Sequence, residues 1–167
     1  NTAAMSKAYR KGRPIDEPAL ADVPAGGLSA SVTDLAQFMK AVFADGRPVL
    51  QFPATLQEML RVQNGDVPLD HDFRVGLGWI LSTLGGEPLE GLDGVGPVAH
   101  HGGATVAFRS QLVLAPAHRL GVIVAANSSS AGPVVNRVAQ RALALAIQAK
   151  AGIARPFKPL ILGDDDP

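Results

Sequence analysis

The chain has 167 residues, no cysteine, 47% hydrophobic residues and 15 basic against 15 acidic side chains, for a formal net charge of +0. This is a globular composition of one domain's size, and it excludes disulfides, thiolate metal sites and a charge-driven attraction to nucleic acid. No apolar run reaches the roughly 18 residues that would suggest a membrane-spanning helix, and cysteine usage leaves the compartment open. The start, Asn1-Thr2-Ala3-Ala4, carries neither an initiator Met nor a signal-peptide pattern, so it reads as a product of processing or proteolysis.

Residues 1–27 are rich in Pro, Gly and charge and read as an extended surface segment ending in the turn Pro24-Ala25-Gly26-Gly27. A helix follows. Ser31 and Asp34 form an S-x-x-D capping pattern, and Leu35, Phe38, Met39, Val42 and Phe43 lie on one helical face, with Gly46 as the stop. A shorter helix is expected from about Ala54 to Val62, with Pro53 at its start and Asn64-Gly65 past its end. Gly76 to Leu81 reads as a strand with close backbone packing, and Gly85 to Pro97, with five glycines and two prolines, as a loop.

Phe108 to Ala115 and Leu120 to Ala126 read as two strands joined by the turn Pro116-Ala117-His118-Arg119. The second is continuously apolar, a pattern that calls for cover on both faces and neighbours on both edges. The terminal helix and the hairpin partner supply one face and one edge. The rest is expected from outside the chain, so that the chain alone would dimerise, aggregate or need a partner segment. Ser128 to Pro133 forms a turn, Val134 to about Lys150 the longest helix, and 163–167 a frayed acidic tail. No repeat is visible. Helices, then antiparallel strands, then a helix make an α+β pattern.

His101-Gly102-Gly103-Ala104, just ahead of the hairpin, concentrates the candidate chemistry. It places an imidazole, and backbone free of side chains, at the mouth of a sheet. Adjacent histidines such as His100 and His101 point to opposite sides of a strand and do not readily grip one metal ion. Asp70-His71-Asp72 could add ligands but sits in a polar stretch where such runs are normally solvated. An H-G-G run also suits the oxyanion loop of α/β-hydrolases, but the G-x-S-x-G nucleophile turn they require is absent. A stand-alone hydrolase using His101 would show ester turnover that His101→Ala abolishes. Gly76-Leu77-Gly78 lacks the third glycine of a dinucleotide fingerprint.

Taken whole, HGGATVAFRSQLVLAPAHRLGVIVAANS (101–128) resembles the C-terminal part of the serine β-lactamase-related family, particularly its class C β-lactamase and penicillin-binding-protein-like esterase branch. Pro24 to Ser31 resembles that family's P-A-G-G-L-x-S-T segment and Gly76 to Trp79 its G-L-G-W segment, so the likeness covers nearly residues 5–150 in order. The resemblance implies a single partial domain over 1–167, the C-terminal half of a β-lactamase/transpeptidase-like fold with an antiparallel sheet flanked by helices. It puts His101-Gly102-Gly103 in the place of K-T-G, with His101 standing for the Lys. The backbone N–H of Ala104 falls where the family provides half of its oxyanion hole. Gly102, Gly103 and Thr105 fall where substrate binds, and Asn127 closes the last strand.

Three departures point away from an efficient β-lactamase and toward an esterase or peptidase relative. Gly102 lacks the Thr hydroxyl, Ala107 replaces a common Gly, and Gly132 stands where cephalosporinases carry a carboxylate-binding Asn. The family's S-x-x-K nucleophile and Y-x-N or Y-x-S motifs are missing. No Ser is followed three residues later by Lys, and the one Tyr, Tyr9, precedes Arg10-Lys11. The resemblance therefore implies a serine hydrolase of esters, amides, D-peptides or β-lactams, without a cofactor, to which this chain contributes one wall. It would be inactive alone and would partner a missing N-terminal half or a swapped copy. A noncatalytic scaffold used for partner binding is the rival from another class.

Overall fold

The computed structural model describes residues 5–44, 50, 52–67, 74–81, 92 and 95–153. The expected Gly46 stop, the Asp70-His71-Asp72 run, most of the loop from Gly85 to Pro97, Asn1 to Ala4 and the acidic tail lie outside them.

Two short strands, β1 (Ala8–Arg10) and β2 (Arg13–Ile15), pair antiparallel with Arg10 opposite Arg13. Lys11 (φ 50°) and Gly12 (φ 72°) both take left-handed backbone, the requirement of a two-residue type I′ turn. The extended segment expected over 1–27 is corrected accordingly: its Lys-Gly pair folds it into a hairpin, and Ala8 is buried. Where a plain turn was expected, a single helical turn, α1 (Val23–Gly26), forms and is closed by the Gly27 N–H on the Val23 carbonyl.

The capping reading of Ser31 and Asp34 holds in atomic detail for α2 (Val32–Phe43). Ser31 Oγ accepts the Asp34 N–H, and the Asp34 carboxylate accepts the Ser31 N–H in return. The Ser31 hydroxyl also donates to Asp34 Oδ2, and this bond holds the carboxyl below its ordinary pKa. The helix α3 (Pro53–Met59) is shorter than expected, ending at Met59 with Leu60 as its C-cap instead of near Val62. The chain at 75–77 comes against its end, where Met59 O accepts the Leu77 N–H and Val75 O accepts the Gln63 N–H. A Cβ on Gly76 would collide with the Met59 carbonyl, so this close approach requires glycine. On the exposed side of α3, hydrogen bonds from Arg61, and then Gln63, pull Glu58 down to a pKa of about 2. The contribution of that carboxylate to folding is therefore present at neutral pH and is lost as pH falls from the usual carboxylate range toward about 2.

The strand expected over Gly76 to Leu81 is instead a tight hairpin. Val75 bridges Ile80, Gly76 N–H donates to Trp79 O, and Gly78 takes φ 75° at the bend. Ile80 then exchanges both backbone bonds with His100. The main sheet consists of β3 (Ala99–Ala104), β4 (Arg109–Ala115) and β5 (Leu120–Ala126), antiparallel and in that spatial order. Pro116–His118 makes the connecting 3-10 turn, with Arg119 left-handed at its end. The terminal helix α4 (Gly132–Ala151) begins with Pro133 in its first turn and ends on left-handed Gly152, whose N–H returns to Gln148 O.

Side chains alternate along the strands into two apolar layers. Val113 and Ala115 of β4, with Val122 and Val124 of β5, pack on Ala139, Leu143 and Ile147 of α4. Leu112, Leu114 and Ile123 face Met39, Val42 and Trp79 on the other side. The unbroken apolar run of β5 thus has cover on both faces, and the second cover, expected from outside the chain, comes from α2. Met39, Phe43 and Leu114 close in on Gly121 so tightly that no side chain fits there. Among the described residues, pairing beyond β5 continues at its end, where Ser128 bridges Tyr9 in parallel and Tyr9 N–H donates to Asn127 O. The observed fold class is α+β, as the order of elements predicted.

Candidate active site

His101-Gly102-Gly103-Ala104 forms the exposed half of β3, whose first two residues, Ala99 and His100, are buried. The stretch lies within the strand itself. Its edge geometry follows from the backbone hydrogen bonds at its two ends. His100 gives its N–H and C=O to Ile80, away from β4, while the Thr105 N–H turns toward β4 and meets Phe108 O. Backbone direction alternates along an antiparallel strand, so His101 and Gly103 bond β4, and Gly102 and Ala104 present N–H and C=O outward. The Ala104 N–H is thus an outward-facing donor on a side-chain-poor edge that, among the described residues, no strand pairs with at this position.

His101 lies on the outside of the sheet with Nδ1 2.7 Å from the carbonyl oxygen of Gly102. A carbonyl only accepts, so Nδ1 carries the proton, and in the neutral ring Nε2 presents a lone pair. The imidazole therefore occupies one outward carbonyl at the strand edge. His100 has a different role. It points to the opposite face, buried, and its Nδ1 accepts from Gln111 Nε2 at 3.2 Å. The two adjacent histidines are separated by the strand, as alternation requires. Among the described residues no three His, Asp or Glu side chains gather as a metal site, and no helix is long and apolar enough to cross a membrane.

The glycines have different neighbours. A Cβ on Gly102 would come 2.9 Å from Gln111 Oε1, and one on Gly103 would come 2.5 Å from Ser110 Oγ. Gln111 is buried and tied to His100, so its amide fills the space that a side chain at 102 would need. Gly102→Thr is accordingly expected to lower stability by about 1–3 kcal/mol through overpacking, read as a shift in urea midpoint. An unchanged midpoint would show that Gln111 yields freely.

The β3–β4 turn is closed from within. Phe108 N–H donates to Thr105 Oγ1 at 3.2 Å, and Arg109 Nη1 donates to the carbonyls of Thr105 and Phe108. Thr105 thus shapes the turn through its hydroxyl oxygen. Ala107 is fully buried, and the Arg109 side chain lies beside Gly132 at the start of α4. From outside, Glu17 Oε1 accepts the Val106 N–H at 3.1 Å. Asn127, whose place after β5 suggested either a turn cap or a functional role, uses Nδ2 to hold Lys7 O at 2.7 Å. Sequence reasoning missed Gln111, Arg109 and Glu17. Gln111 was legible as a polar residue interrupting an apolar strand, but no local signal marks a partnership across 89 residues such as that of Glu17 with Val106.

No curated protein matches this chain. A family model described as Beta-lactamase matches residues 1–146, which contain the hairpin, the capped helix α2, all three strands of the main sheet and most of α4. The match points to a serine hydrolase-like scaffold, and hydrolase activity is general in the family. The chain belongs to the Beta-lactamase family.

Proposed function

We propose that this chain is the C-terminal half of a serine hydrolase of the class C β-lactamase and penicillin-binding-protein-like esterase branch, acting on an ester, an amide such as a D-peptide, or a β-lactam. A Ser of an S-x-x-K motif in the other half attacks the substrate carbonyl. The C–O⁻ that forms is stabilised, the leaving group departs with a proton, and water cleaves the acyl-enzyme. The observation that carries this reading is the outward N–H of Ala104 on the bare edge of β3, within a chain that belongs to the family. His101 lines the pocket edge beside it, in the place of the family's Lys. Gly102 and Gly103 leave the edge open for substrate, and the Thr105 hydroxyl proton is available to a ligand. Gly102 and Gly132 lack the side chains that would grip a β-lactam's carboxylate, which favours ester or peptide substrates.

A second reading is a scaffold that kept the sheet for partner binding, which loss of S-x-x-K and Y-x-N from the other half of the domain would favour. One labelling experiment separates the two. Incubated with a fluorophosphonate or a β-lactam, this chain alone should show no covalent mass shift, and the protein that also carries S-x-x-K should take up one equivalent. An adduct on this chain alone would refute the placement of the nucleophile. No adduct on the larger protein would favour the scaffold.

A further inference from the structure

Glu17 lies between two prolines of a segment remote in sequence from the catalytic strand, yet it reaches that strand's turn. The segment is anchored first at the far margin of the sheet. Tyr9 N–H donates to Asn127 O at 2.9 Å, and Asn127 Nδ2 donates to Lys7 O at 2.7 Å. From there β1 and β2 cross the end of the sheet, and two residues after β2 the Glu17 carboxylate receives the Val106 N–H. Pro18 restricts the backbone of Glu17 to extended conformations, which limits how far the carboxylate can wander. Among the described residues the second oxygen, Oε2, is buried without a hydrogen-bond partner. Burying a carboxylate oxygen unsatisfied is unfavourable, so this placement needs a reason beyond local folding.

The turn it holds supplies one. Val106 is two residues past Ala104, and the turn's other bonds, from Thr105, Phe108 and Arg109, are all internal to it. Those bonds hold the turn's shape. The bond to Glu17 adds an external anchor at Val106, two residues past the last outward N–H of β3. We propose that Glu17 is a positioning residue for the Ala104 oxyanion donor, clamping the β3–β4 turn through Val106. The proposal rests on the reading of Ala104 as that donor. Its action is mechanical, through an acceptor atom. A negative charge near a developing oxyanion does not itself help, so a neutral acceptor of the same length serves as well.

Three variants of the full chain separate these elements: Glu17→Ala removes the acceptor, Glu17→Gln keeps an acceptor oxygen without charge, and Glu17→Asp keeps the charge but shortens the reach. In the ¹⁵N-labelled protein, Glu17→Ala and Glu17→Asp should speed amide exchange at Val106 about ten-fold or more and shift the Ala104 amide resonance. Glu17→Gln should restore both to near wild type. In the protein carrying S-x-x-K, the first two variants should lower kcat with little change in KM, and Glu17→Gln should match or exceed wild type. Unchanged Val106 exchange in Glu17→Ala would overturn the clamp. Equal loss in Glu17→Gln would overturn the mechanical account. Faster exchange at Val106 with an unmoved Ala104 resonance would overturn the positioning role. If Glu17→Ala does not fold, Glu17→Asp and Glu17→Gln decide. A wild-type protein without turnover counts against the hydrolase reading alone, and the two amide readouts still judge Glu17.

Discussion

Replacing Ala104 with proline should lower turnover of the S-x-x-K-bearing protein about 10²–10³-fold, the usual cost of losing one oxyanion donor, while leaving the sheet folded. Proline has no N–H, and in most strands that would also break the ladder. Here the alternation set by His100 and Thr105 turns the Ala104 N–H away from β4, and proline is tolerated on edge strands where the missing N–H faces outward. Two companions make the result specific. Ala104→Gly keeps the donor and should stay near wild type. Gly103→Pro removes an N–H that points into β4 and should destabilise the sheet, which denaturant melts will show. If Ala104→Pro folds and turns over substrate like the wild type, this amide is not the oxyanion donor.

Much of the architecture was legible because local chemistry and global position agree. Ser31 and Asp34 start α2 where the capping pattern put them, the strands β4 and β5 fall within a residue of the apolar runs, and Pro133 opens α4. The failures have physical causes. Lys11-Gly12 makes a type I′ turn without the more familiar Asn-Gly or Asp-Gly pair, so the hairpin of β1 and β2 was read as extended chain. Leu81, Ile80 and Trp79 have strand-like side chains, but Gly78 bends the backbone beside them, and their pairing partner lies at His100. The apolar run of β5 announced two covered faces without saying that α2, nearly eighty residues earlier, is the second cover.

The site shows the same division. A strand's alternation separates His100 from His101 at the level of sequence, and the structure places one against Gln111 and the other on the open edge. What sequence could not give is the ring orientation of His101. The 2.7 Å contact with Gly102 O calls for a proton on Nδ1, a ring orientation that alternation along the strand does not specify.

Leu143→Ala should cost about 2–5 kcal/mol of stability, against less than about 0.5 kcal/mol for Leu145→Ala two residues along the same helix. Leu143 has no exposed surface and packs in the layer that α4 makes with Val113, Val122 and Val124, so truncation leaves a cavity under the sheet's own strands. Leu145 is 52% exposed, with Val134 and Val138 also on the outer side of α4. Urea melts of the two variants over a range of protein concentrations test the assignment of faces. A large, concentration-dependent loss for Leu145→Ala would mean that the outer stripe of α4 is covered in solution by another copy of the chain. A concentration-independent difference of several kcal/mol in favour of Leu145→Ala would place the core where the two apolar layers put it.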